Sequence, residues 1–125
     1  MTTHVAIWID HQEARIFHVD ADKVEQTSVA APRHHLHHRR LAEGAKAHPA
    51  DTENFFHDVG RHVADADAIL VLGPSTAKLE FIRHLHRHDR AIEPKVVGVE
   101  TVDHPTDGQI VAYAKKYFVR TDRMR

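Results

Sequence analysis

The sequence predicts an α/β domain organised around one mixed five-stranded sheet, and three observations predict it. The first 30 residues alternate side-chain character in three short runs separated by Asp-containing turns. Ala68-Ile69-Leu70-Val71-Leu72 is an unbroken apolar run closed by Gly73-Pro74, as expected of a strand covered on both faces. Three later stretches carry apolar residues at helical spacing. At 125 residues the chain suits a single domain, 1–125, with a real core.

The elements follow in order. His4 to Asp10 sets Val5, Ile7 and Ile9 on one strand face and Ala6 and Trp8 on the other. Asp10-His11-Gln12 reads as a hairpin connection to a second strand, Glu13 to Val19, with Ala14, Ile16 and His18 opposite Arg15, Phe17 and Val19. After a turn at Asp20-Ala21-Asp22, Lys23 to Val29 forms a more polar strand at the sheet edge. Residues 30–50 show no apolar period and read as an exposed His/Arg-rich loop, with a short helical piece over Leu41 to Lys46. Asp51 is placed to cap a helix reaching Asp65, with Phe55, Phe56, Val59 and Val63 on one stripe and His57, Asp58 and Arg61 outside it. Ala68 to Leu72 is then the central strand. Ser75 or Thr76 caps the next helix, to about Asp89, which buries Ala77, Phe81, Ile82 and Leu85. Ile92 to Pro94 is a turn and Lys95 to Thr101 the fifth strand. Thr106-Asp107-Gly108-Gln109 has the form of a capping box opening a last helix, which buries Ile110, Val111, Ala114, Tyr117 and Phe118. Residues 119–125 are expected to fray. The order βββ-α-β-α-β-α, with right-handed crossovers to the last two strands, is an RNase-H-like layering with helices on the sheet faces.

Composition narrows the function classes. There is no cysteine, which removes disulfides and thiolate chemistry. The N-terminus has no signal-peptide pattern and no apolar run approaches the ~20 residues of a membrane span, so the expectation is a cytoplasmic protein with no membrane partner. Net charge is −1, so bulk electrostatics do not make it a polyanion binder. Histidine is the anomaly, at 14 residues. Free imidazoles titrate near pH ~6.5, so mild acid should make the chain markedly cationic.

Several of these residues carry a resemblance. The strand followed by Gly73-Pro74, Lys78 and Phe81, coming after a β-meander and one helix, resembles the central domain of the eukaryotic and archaeal peptide-release factor and Pelota family. Val96-Val97-Gly98-Val99-Glu100-Thr101 and Gly108-Gln109 also fit, so the resemblance covers His4 to Phe118. It implies a stand-alone, single-domain relative of bacterial type, linked to translation. Release factors carry Gly-Gly-Gln in the loop after the meander; here that loop holds Arg33 to Arg40 and the tripeptide is absent. Peptidyl-tRNA hydrolysis therefore does not carry over, and no cofactor is implied.

Three readings of the loop stay open. Arg33, His34, His35, His37, His38, Arg39 and Arg40 form a phosphate- or RNA-binding patch in one, since arginine pairs bidentately with phosphate and histidine stacks on unpaired bases. In another the four histidines bind a metal ion. In the third the loop is a solvated segment of biased composition. Lys78, Arg83 and Arg87 are candidates for the same basic surface; Arg83, Arg87 and Arg90 share a helix face. His84 and His88 stand at i, i+4, a spacing that can chelate a metal, but with no Glu beside the first His they read as part of the solvated helix face. A metal-dependent nuclease built on Asp10 with Asp67, Asp103 and Asp107 is an alternative, as is a homo-oligomeric scaffold using the edge strand. No nucleophilic triad is indicated. The favoured expectation is a non-enzymatic binding module that contacts ribosomal or transfer RNA.

Overall fold

Alternating side chains and one aspartate set up the first half of the sheet. The computed structural model of the chain describes residues 3–20, 22–31 and 49–123. Strands β1 (His4–Ile9), β2 (Glu13–Val19) and β3 (Val24–Ala30) form the expected antiparallel meander. Asp10 makes the first turn, its Oδ1 accepting the backbone N–H of Gln12 at 2.8 Å and of Glu13 at 2.9 Å, the turn use of a short acidic side chain.

Strands β4 (Ala68–Gly73) and β5 (Val96–Thr101) continue the sheet in parallel with β1, giving the order β3-β2-β1-β4-β5. The expected centre moves by one strand. β1 is the middle strand and β4 its interior neighbour, because Ala6 and Trp8 are as apolar as Val5, Ile7 and Ile9 and β1 is buried on both faces too. β3 lies at the edge as expected.

Helices α1 (Pro49–His62) and α2 (Ala77–His88) cover one face, and α3 (Asp107–Arg123) covers the other. Phe55, Phe56, Val59, Val63, Phe81 and Leu85 pack on Val5, Ile7, Ile9, Ile16, Ile69 and Val71. Ile110, Ala114 and Phe118 pack on Ala6, Trp8, Phe17, Leu70 and Leu72. Burying each of the larger side chains contributes roughly 1.5–3 kcal/mol. The result is an open mixed sheet between helical layers, an RNase-H-like arrangement.

Gly73 is needed for proximity, not for a left-handed backbone. A Cβ there would run into the carbonyl oxygen of Ile9 at the end of β1. Its neighbour Pro74 then takes the chain out of the sheet.

The helix boundaries differ from expectation in instructive ways. α1 starts at Pro49, a residue preorganised for a first turn, so Asp51 sits inside that turn and not at the cap. Neither expected hydroxyl caps α2 conventionally. Thr76 occupies the N-cap but donates to Glu80 Oε2 at 3.0 Å, and Ser75 Oγ is 3.5 Å from the Ala77 nitrogen. α2 ends at His88, with Asp89 as its C-cap, so Arg90 stands beyond the helix and not on its arginine face. The turn before β5 is a short 3-10 segment, Glu93–Lys95. The capping box of α3 is reciprocal: Gln109 N–H donates to Thr106 Oγ1 at 3.1 Å and Thr106 N–H to Gln109 Oε1 at 2.9 Å. That helix runs on to Arg123, through most of the stretch expected to fray.

Candidate functional site

α2 divides its residues sharply between core and surface. Phe81, His84 and Leu85 point into the packed face, while Arg83, His86, Arg87 and His88 are exposed. Between α2 and α1 lies a groove of about 280 Å³, lined by Thr52, Glu53 and Phe56 of α1 and by Glu80, Arg83, His84, Arg87 and His88 of α2. Arg83 and Arg87 thus share one concave surface, as their i, i+4 spacing suggested. Glu53 and Glu80 stand in the same groove and moderate its positive charge.

The expected site residues separate into three groups. Arg83 and Arg87 come together in the groove. Lys78 does not join them: it is 6% exposed, and its Nζ donates to the Ser75 carbonyl at 2.7 Å, bracing the turn that follows Pro74. Arg33, His34, His35, His37, His38, Arg39 and Arg40, with the helical piece expected at Leu41 to Lys46, lie outside the described residues. The two ends of that loop are described. Ala31 is tied by its N–H to the Gln12 carbonyl at 2.8 Å, and the chain re-enters at Pro49, three and four residues before the groove residues Thr52 and Glu53.

His84 departs from the solvated position expected of it. It is 7% exposed and packs its ring 5.7 Å from Phe56. Its Nε2 faces Asp89 Oδ2 at 3.4 Å, and His57 Nδ1 lies 3.9 Å from the same oxygen. Neither His84 Nε2 nor Asp89 Oδ2 has a hydrogen-bond partner, although both are shut off from solvent. Burial lowers the pKa of His84, with the neighbouring His88 acting the same way and Asp89 and Glu53 opposing. The i, i+4 partner His88 packs against it with ring centroids 4.9 Å apart and the rings tilted by 44°. His57 and Asp89 were not singled out as site residues from the sequence. A usable signal existed: Phe81, His84 and Leu85 follow i, i+3, i+4 spacing, which puts His84 on the core face beside its helix end.

The four carboxylates considered for a nuclease are dispersed. Asp10 caps its turn, Asp67 Oδ2 accepts the Thr3 N–H at 2.8 Å, Asp103 contacts His104, and Asp107 binds Arg15 and Gln26. Among the described residues, the group of three or more metal-ligating side chains that converges is His57, His84 and Asp89, and it includes none of them. A second groove of about 430 Å³ opens at the carboxyl ends of β4 and β5. Its polar lining is already engaged: the Asp103 carbonyl accepts Trp8 Nε1, Gln109 closes the capping box, and Tyr113 donates to Glu100.

No protein-family model matches the chain, and no curated protein matches it in sequence. Solved structures do match its fold. Pelota of Archaeoglobus fulgidus superposes with a TM-score of 0.65 at 16% identity, covering 91% of this chain and 31% of that one. Pelota of Thermoplasma acidophilum gives 0.61 at 19% identity, covering 95% and 32%. A translation termination-like factor of S. cerevisiae involved in RNA quality control gives 0.54 at 9% identity, covering 98% and 39%. The chain therefore has the fold of a Pelota- and release-factor-like central domain, and spans about a third of the length of the solved structures it matches.

Proposed function

We propose that this chain is a translation-associated binding module that contacts ribosomal or transfer RNA through one basic surface. The observation that carries the reading is the likeness in fold to translation factors over nine-tenths of the chain or more. The chemistry that gives it content is the exposed pair Arg83 and Arg87, in a groove whose α1 wall begins where the His/Arg-rich loop ends. Arginine on a concave surface binds phosphate bidentately and releases counterions, and an adjoining segment with Arg33, Arg39 and Arg40 would extend the same footprint. Lys78 is left out of this surface because its ammonium is buried on the Ser75 carbonyl. Such a module would act by binding alone, in the compartment that holds ribosomes; no helix among the described residues is long and apolar enough to cross a membrane.

The test is sedimentation of the protein with purified ribosomes, and filter binding to bulk transfer RNA, at low and moderate salt. Replacing Arg33, Arg39 and Arg40 by alanine, or Arg83 and Arg87 by alanine, should weaken binding and flatten its dependence on salt. The log–log slope should fall by roughly 0.7–0.9 for each phosphate that is no longer neutralised. Failure of the unaltered protein to associate with either RNA at low salt would overturn the reading.

A further inference from the structure

We propose that His57, His84 and Asp89 form a zinc-binding site between α1 and the C-terminal end of α2. One ligand atom from each of His57, His84 and Asp89 lies within 4.8 Å of the other two. Zinc–ligand bonds of about 2.0–2.1 Å place neighbouring ligands of a tetrahedral ion about 3.4 Å apart. The His84–Asp89 separation is 3.4 Å and the His57–Asp89 separation 3.9 Å. The first already has the length of a tetrahedral edge, and the second needs a shift of half an ångström by an exposed side chain.

The independent observation is the state of the polar atoms. His84 is more than nine-tenths buried, its Nε2 is aimed at Asp89 Oδ2, and neither atom forms a hydrogen bond. A buried imidazole nitrogen and a buried carboxylate oxygen without a hydrogen bond are each unfavourable. An ion between them would satisfy both atoms at once. The surroundings suit a cation. Asp89 is the C-cap of α2, where the helix dipole is negative, and Glu53 adds charge from α1. Burial also lowers the pKa of His84, which favours the neutral form that ligates.

Two imidazoles and one carboxylate favour zinc over magnesium or calcium, which take oxygen ligands. The fourth ligand would be water, which can reach the site because the His57 side chain is 53% exposed. This site uses none of the arginines of the RNA-binding reading, although His84 also lines their groove.

The loop histidines would compete for metal, so the measurement uses tag-free protein in which His34, His35, His37 and His38 are replaced by alanine. Titration with Co2+ should give the intense visible absorption of a tetrahedral site at one ion per chain, displaced by Zn2+. His57→Ala and Asp89→Asn, each in that background, should lower the affinity at least tenfold. His57 is exposed, so its variant folds and decides the matter even where a change at Asp89 disturbs α2. Absence of Co2+ and Zn2+ binding by the loop-histidine variant would overturn the proposal, as would an unchanged affinity in His57→Ala.

Discussion

His84 Nε2 and Asp89 Oδ2 stand 3.4 Å apart at the end of α2, both inaccessible to solvent and both without a hydrogen bond. The burial of His84 makes stability depend on pH in a definite direction. The pKa of His84 is depressed in the folded chain, first by burial and then by His88, against the opposing charges of Asp89 and Glu53. The unfolded chain, with its histidine near pH ~6.5, binds the proton more readily. Full stability is thus present above about pH 6.5 and is lost as pH falls from there through the folded-state value. Urea unfolding between pH 7.5 and about 5.5, with chelator present, should show this loss, and His84→Gln should flatten it. An equally steep loss in the variant would assign the effect to other groups.

Lys78 is expected to act on stability and not on RNA. Its Nζ holds the Ser75 carbonyl, and its stem is buried in the first turn of α2. Lys78→Ala removes both interactions and should cost about 2 kcal/mol in urea unfolding. Lys78→Met keeps most of the stem and also removes a buried charge, so it should cost less than half of that. Neither change should alter the salt dependence of RNA binding, and a shallower slope in Lys78→Met would return the residue to the phosphate-binding surface.

The fold was legible in the sequence because its signals are local. Alternation in Val5 to Ile9 and Ala14 to Val19, the Gly73-Pro74 closure and the Thr106–Gln109 box all act within a few residues, and each appears as read. The choice of middle strand was not legible, because strand order depends on pairing partners distant in sequence. The candidate site divides along the same line. Arg83 and Arg87 share a helix face by spacing alone, whereas the His57–His84–Asp89 cluster needs α1 to be docked against α2, an approach bridging some 30 residues that no periodicity encodes. Lys78 misleads for a related reason: a lysine next to a turn looks free until the turn's own carbonyl claims it.

Two glycines should respond oppositely to alanine. At Gly73 the added methyl meets the Ile9 carbonyl oxygen, part of a backbone held by pairing with β2, so the strand ends must separate. Gly73→Ala should cost roughly 1–3 kcal/mol or more. At Gly108, in the first turn of α3, the nearest atom to the added methyl is Thr106 Oγ1 at 4.0 Å, so nothing is displaced. Gly108→Ala should stabilise by about 0.5 kcal/mol through reduced freedom of the unfolded chain. Denaturant midpoints of the two variants, measured beside the unaltered protein, check both signs.

Tyr113 links α3 to β5 by donating its hydroxyl hydrogen to Glu100. That bond, followed by burial, pushes its pKa up to about 12. The folded chain therefore holds the phenolic proton more tightly than the unfolded one, whose tyrosine titrates near pH ~10. Stability from this group is complete below pH ~10 and is lost as pH rises from there to about 12. The chain has 2 tyrosines, so phenolate absorbance resolves the late-titrating one directly. Glu100→Gln should bring that titration down towards the ordinary tyrosine range, and Tyr113→Phe should make the alkaline loss of stability shallower. If the absorbance titration of Glu100→Gln matched that of the unaltered protein, the carboxylate would not be the group that holds the proton.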